Sequence, residues 1–323
     1  MLTYSIAIRT LGKGGEMYRE ELRSIMRQTV RPERVLVYIA EDCPRPDFTE
    51  GDEEYIPVPR GMMAQRILPY DEITSDCILM LDDDVRLAPD SAEKLLGAME
   101  EHDADCVGAD VFRNQDMPVH RKLYAAVTGL VFPHHSSKWA FKLRRNGSFS
   151  YNGEPKERCY PSQTCGGPAL LWRRDAFLRL HLEDELWLDT LPFSYNDDTL
   201  ISYKLYSNGG RLFVLYGSGV DNLDASSFSS VYRKSPDRIR VRSEATFMIW
   251  WRTCFRNGAD NSRTRMLAAG AFALKSLWMV PVMAAASVVS DPRALSMYFK
   301  GLADGWRSVH TPEFRDLNKY VIR

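Results

Sequence analysis

The sequence predicts an α/β fold: a mostly parallel sheet flanked by helices, followed by a C-terminal helical region. Three observations carry this. Strand-like and helix-like segments alternate through the first two thirds of the chain, the strand segments are continuous apolar runs, and beyond about Asp224 only helical patterning remains. With 323 residues, 45% of them hydrophobic, the chain can bury a full core and has the length of about two domains.

Residues 2–8 form an apolar stretch that ends at Arg9 and Thr10 and runs into the glycine-rich 11–15, a buried strand feeding a loop. Over 20–28, Leu22, Ile25 and Met26 recur at helical spacing, and Arg31-Pro32 ends that helix before the strand 35–39. The order repeats as a strand at 55–58, a helical stretch at 62–70, a strand at 77–81, a helix at 89–102 and a strand at 106–112. Pro89-Asp90-Ser91 suits helix initiation, and Leu95, Leu96 and Met99 supply the buried stripe. From 113 to 162 the pattern loosens into Pro, Gly, Asn, aromatic and basic residues, the character of a functional or mobile insertion. Regular structure resumes with a strand at 169–172, a segment at 175–180, a helix at 197–207 stopped by Asn208-Gly209, and a strand at 212–215.

Lys plus Arg number 42 against 43 Asp plus Glu, so the chain lacks the basic excess of a dedicated nucleic-acid binder, and no nucleic-acid partner is expected. Six scattered cysteines without a CxxC pair read as reduced thiols, and the N-terminus has no secretory pattern, which together suggest a cytoplasmic protein.

The run Leu79-Met80-Leu81-Asp82-Asp83-Asp84 is an apolar strand ending in three carboxylates. Alternation along an extended chain puts Asp82 and Asp84 on one side, which suits one hard divalent cation, Mn²⁺ or Mg²⁺, with open positions for substrate phosphates. The carboxyl edge of an open α/β sheet is also where ligands bind. A solvated acidic loop capping the next helix is the competing reading. A second acidic pair, Asp197-Asp198, opens a predicted helix. One of the two can serve the helix N-terminus, while the other, facing a cleft, is able to accept a proton from an attacking hydroxyl. Between them, Gly166-Gly167 either lets backbone approach a ligand closely or simply makes a turn.

Taken together these residues resemble glycosyltransferase family 2, the inverting nucleotide-diphospho-sugar transferases of GT-A fold. The segment 21–32, with Gln28-Thr29 and Pro32, is similar to the family's first helix. Asp82 to Asp84 resembles its DXD signature, Gly166-Gly167 with 172–177 its acceptor-side segment, and Asp197-Asp198 its Glu-Asp pair. The resemblance covers about 3–224. It implies a nucleoside diphosphate sugar as donor, a glycan or lipid-linked hydroxyl acceptor, and Asp198 as general base with Asp197 on the acceptor side. Asp82 and Asp84 would hold the metal, with Asp83 alongside the donor. Thr10 would border the nucleotide, Glu41 or Asp42 would meet the base, and Arg66 would lie near the diphosphate. The family's late His is missing, and Asp221 is the substitute ligand to test. The expected division is a catalytic domain over 1–225, carrying the 113–162 insertion on its acceptor side, and a helical region over 226–323. A role in bacterial surface polysaccharide assembly is what the family suggests. A noncatalytic scaffold that binds nucleotide sugar is the first alternative, and a nucleotidyltransferase the second.

In the tail, nine basic residues between 232 and 265 face three acidic ones, beside Trp250-Trp251 and the apolar 266–290. Peripheral attachment to an anionic inner leaflet is one expectation, and a helical subdomain packed on the catalytic part the other. Lys275 and Pro281 argue against a clean membrane span.

Overall fold

The computed structural model describes residues 2–111, 123, 131–134, 138–192, 196–223, 235–257 and 261–320. The expected boundary at 225/226, the C-terminal end of the strand expected at 106–112 and much of the 113–162 insertion lie outside the described residues.

The chain opens with β1 (Tyr4–Thr10), α1 (Gly15–Ile25), β2 (Val35–Ala40), β3 (Glu53–Val58), β4 (Cys77–Asp82), β5 (Val85–Leu87), α2 (Ser91–Glu101) and β6 (Cys106–Ala109). Within the insertion, β7 (Val131–His134), β8 (Phe141–Leu143) and β9 (Phe149–Asn152) form a small sheet of their own, so this segment is less loose than its composition indicates. There follow β10 (Cys159–Pro161), β11 (Ala169–Arg173), α3 (Arg174–Leu178), a 3-10 segment over Leu182–Thr190, α4 (Asp197–Ser207), β12 (Leu212–Leu215) and β13 (Val220–Asn222). The helical region comprises α5 (Arg238–Trp250), extended by a π-helical stretch over Trp251–Asn257, then α6 (Ser262–Val289), α7 (Ala294–Ser308) and α8 (Pro312–Asp316).

Eight strands form the main sheet in the order β10-β12-β6-β11-β4-β1-β2-β3. β1, β2 and β4 are almost wholly buried, as expected of parallel strands covered on both faces. The parallel pairings are β4-β1, β1-β2, β2-β3 and β6-β12, while β11 runs antiparallel between β4 and β6. That reversal matters for the site. An antiparallel strand begins where its neighbour ends, so Ala169 pairs with Leu81 and the Pro168 carbonyl accepts the Asp82 amide at 3.0 Å. Gly166-Gly167 are thereby delivered to the carboxyl edge.

Two predicted helices differ from those found. α1 starts at Gly15, five residues ahead of the expected 20–28, and ends at Ile25. Gln28 leaves the helix to pin it, donating to the Ala88 carbonyl at 2.8 Å and accepting the Ala92 amide at 3.0 Å. The expected helical stretch 62–70 is instead a short turn held by Gln65 N–H to Gly61 O and Ile67 N–H to Met63 O. Pro69 prevents continuation, and the Asp189 carboxylate takes the first two amides, Met63 and Ala64, at 2.9 and 2.8 Å.

The C-terminal helices share one hydrophobic core with one face of the sheet: Leu36, Ile78, Trp172, Leu205, Trp250 and Phe272 belong to a single buried cluster. Trp250 stacks on Phe272 with ring centroids 4.2 Å apart. Beneath them, Arg252 and Glu185, both without exposed surface, pair at 2.7 Å, and Lys204 reaches Glu185 at 3.2 Å. Trp250 and Arg252, expected as part of a basic surface, are therefore interior.

Candidate active site

At the carboxyl edge of β1 and β4 lies an open cavity of about 450 Å³, walled by Arg9, Thr10, Lys13, Arg60, Gln65 and the Asp82–Asp84 carboxylates. Each wall residue is there for a local reason. Arg9 and Thr10 end β1, and the triplet ends β4, whose register against β1 sets Arg9 beside Asp82. Gln65 comes from the 61–67 turn and donates to the carbonyls of Thr10 and Tyr38, tying that turn to the sheet.

The two acidic clusters, more than a hundred residues apart in sequence, meet here through guanidinium groups. Arg9 bonds Asp82 through both Nε and Nη2, and its Nη1 stands 3.8 Å from Asp197. Arg66, only 6% exposed, sits 2.8 Å from Asp197 and 3.8 Å from Asp82. Asp198 accepts the Thr199 amide at 2.7 Å on one oxygen and the Gly167 amide at 3.1 Å on the other. Asp83 accepts a hydrogen bond from the Thr10 hydroxyl.

This crowding alters proton affinity. Burial, reinforced by Asp197, lifts Asp198 to about 7 against the opposing pull of Arg66. Burial also raises Asp82 to about 6, with Arg66 pulling down and Asp197 pushing up. Below the triplet, Glu21 of α1 is fully buried, and its carboxyl oxygens have no hydrogen-bond partner among the described residues. Burial and the three nearby aspartates hold its proton affinity well above the usual carboxylate range.

Not every expected site residue joins this centre. Glu41 and Asp42 are exposed and outside the cavity wall, and Asp42 reaches it only through Arg60, whose Nε lies 2.9 Å away. Asp221, on β13, pairs with Arg86 of β5 at 2.9 Å and is not part of the wall. Gly166 is half-buried next to Gly167. Four residues of the named wall escape the sequence reading: Arg9, Lys13, Arg60 and Gln65. Arg9 had a usable signal, since it follows an apolar strand at the same edge that singles out Asp82.

Gly167 has no room for a side chain. A Cβ there would lie 2.9 Å from an Arg66 guanidinium nitrogen and 3.0 Å from the Asp198 Cβ. Gly167→Ala is expected to displace one of those groups and to destabilise by about 1–3 kcal/mol. Turnover should fall together with the denaturation midpoint.

The profile for "Glycosyl transferase family 2" matches residues 16–179, just over half of the chain. The chain belongs to glycosyl transferase family 2. In this family 2 member the match takes in all but the first residue of α1, the Asp82–Asp84 edge and the Gly166-Gly167 entry to β11, and it begins after the Arg9, Thr10 and Lys13 of the cavity wall. Solved structures share its fold. S. aureus TarS (1–349), in complex with UDP-GlcNAc, is 12% identical with a TM-score of 0.53, covering 95% of this chain and 82% of that one. The mannosyltransferase PcManGT from Pyrobaculum calidifontis, in complex with GDP-Man and Mn²⁺, is 13% identical with a TM-score of 0.51, covering 97% and 82%. GalNAc-T7, with UDP, GalNAc and Mn²⁺, is 13% identical with a TM-score of 0.50 over 84% of this chain. This chain spans only 55% of the length of that one. At such identities the likeness is one of fold. A search of curated protein sequences gives no match.

Proposed function

We propose that this family 2 member is a metal-dependent, inverting glycosyltransferase that moves a sugar from a nucleoside diphosphate sugar to a hydroxyl of a glycan or lipid-linked acceptor. The observation that carries the reading is the meeting of Asp82, on the wall of the open cavity, with the Asp197-Asp198 pair, which is not part of that wall, through Arg9 and Arg66.

The donor set suits a hard cation. Three carboxylates stand at one mouth, hard oxygen donors of the kind an open Mn²⁺ or Mg²⁺ site completed by substrate phosphates would use, although among the described residues no three ligands are gathered as a ready set. Asp84 with Asp82 would hold the ion, and when bound it would neutralise charge on the departing nucleoside diphosphate. Arg9 and Arg66 hold the Asp82 carboxylate in place. Arg60 and Lys13, on the cavity wall, add positive charge where phosphates would lie. Asp198, held by two backbone amides, is oriented to take the proton of the acceptor hydroxyl as that oxygen attacks the anomeric carbon opposite the leaving group. The same reading places the enzyme at the inner face of a membrane, in bacterial surface polysaccharide or glycan assembly.

Asp84→Ala tests the metal assignment. Titration of UDP and GDP by calorimetry, with and without Mn²⁺, should show tighter binding with the ion in the wild type and no such gain in the variant. An Mn²⁺-dependent gain that persists would remove Asp84 from the site.

A further inference from the structure

Beyond the exposed Ser262 and Arg263 of its first turn, the outward residues of α6 are Met266, Leu267, Gly270, Ala273, Leu274, Leu277, Trp278, Pro281, Ala285, Val288 and Val289. They recur at three- and four-residue steps and so form one stripe down the helix, about 35 Å long by the ordinary helical rise. The stripe carries no charge, and the Trp278 indole is its only polar side-chain group. Its exposure is large: Leu274 is 70% exposed, Leu277 67% and Val288 88%. Lys275, which the sequence presents as an interruption, is turned the other way, donating to the Asn146 carbonyl at 3.3 Å.

We propose that this stripe is the surface by which the chain lies on an anionic lipid bilayer, with α6 in the plane of the interface. This deepens the membrane part of the proposed function and stands apart from the transfer chemistry. Three features select lipid as the occupant. A protein partner needs a polar rim and about one hydrogen bond per 100–200 Å², and the stripe offers almost no side-chain donor or acceptor. The charge around it is one-sided: over 261–310, six Lys or Arg face two Asp. Of these, Arg263, Arg293, Lys300 and Arg307 are exposed, while Asp304 is held by Arg240 and Arg307 and Asp291 by Arg293. Phe299 and Trp306 of α7 add exposed aromatic surface beside these basic residues.

An in-plane pose also fits what α6 does on its inner side. Phe272 is stacked on Trp250 and Ala268 is buried in the shared core, so a spanning helix would have to abandon those contacts. Pro281 removes the donor for the Leu277 carbonyl on the outward face, which suits the hydrated headgroup depth better than the hydrocarbon centre.

The test is vesicle flotation of the full chain with phosphatidylcholine alone and with phosphatidylcholine plus phosphatidylglycerol, alongside light scattering without lipid. The wild type is expected to float with the anionic vesicles and to be released by salt. Leu274→Glu with Leu277→Glu should lower the partition at least about a hundredfold while leaving donor hydrolysis intact. Leu274→Met with Leu277→Met should keep it. A wild type that stays unbound to both vesicles overturns the proposal whatever the variants do, and so does equal flotation of the Glu variant. A dimer without lipid that the Glu substitutions dissociate also overturns it, assigning the stripe to a second copy. Failure of donor hydrolysis with lipid binding retained would count against the catalytic reading alone.

Discussion

Under the proposed mechanism Asp198→Asn is expected to lower the rate of sugar transfer by about a thousandfold while leaving donor affinity within about twofold, because the amide cannot accept a proton yet still takes the Thr199 amide bond. Single-turnover transfer and a separate donor titration check the two halves, and undiminished transfer would reassign the base. The pH dependence has a definite sign. Asp198 is lifted to about 7, so the competent carboxylate accumulates as pH rises through that value and the rate of the wild type rises with it. Stability runs the other way. A carboxyl whose folded-state proton affinity exceeds its unfolded one favours the fold in acid and loses that contribution as pH rises through about 7. The wild type should therefore lose stability over the interval in which it gains activity, and the variant should lack that component of the stability slope.

Arg66→Met acts on the fold as strongly as Asp198→Asn acts on the rate. Arg66 is buried between Asp197 and Asp82, and removing it leaves carboxylates facing one another without their shared counter-ion. Breaking a buried pair from one side typically costs about 3–5 kcal/mol, and urea denaturation should show a loss of that size. Adding Asp197→Asn should return part of it, because the second change removes the stranded charge. Two losses that simply add would mean that the pair is not coupled.

Much of the fold was legible because hydrophobic pattern reports burial. The runs Val35–Ala40 and Cys77–Asp82 are buried on both faces and could be little else than inner strands. What the pattern does not carry is direction. Nothing in 169–173 distinguishes an antiparallel strand from a parallel one, although the direction of β11 is what brings Gly167 to Asp198. The apolar spacing of 62–70 is helical, and the sequence by itself predicts a helix there. The competing influence, the Asp189 carboxylate on its first amides, comes from more than a hundred residues away. Likewise the acidic residues of the site stand out because carboxylates are unexpected at the end of an apolar strand, whereas Arg60, in a loop, looks like an ordinary surface arginine until its place on the cavity wall is known. Within the basic tail the sequence likewise does not say which arginines are interior: Arg252 pairs with Glu185, and Arg256 donates to the carbonyls of 314–317.

The ion pair between Arg252 and Glu185 bears on how this enzyme can be re-engineered. A chimera that keeps the front of the chain and borrows its last hundred residues from a relative would leave the buried Glu185 carboxylate with Lys204 as its one remaining ion-pair partner unless the graft brings an arginine to the same spot. Residue 185 should therefore be exchanged together with the tail.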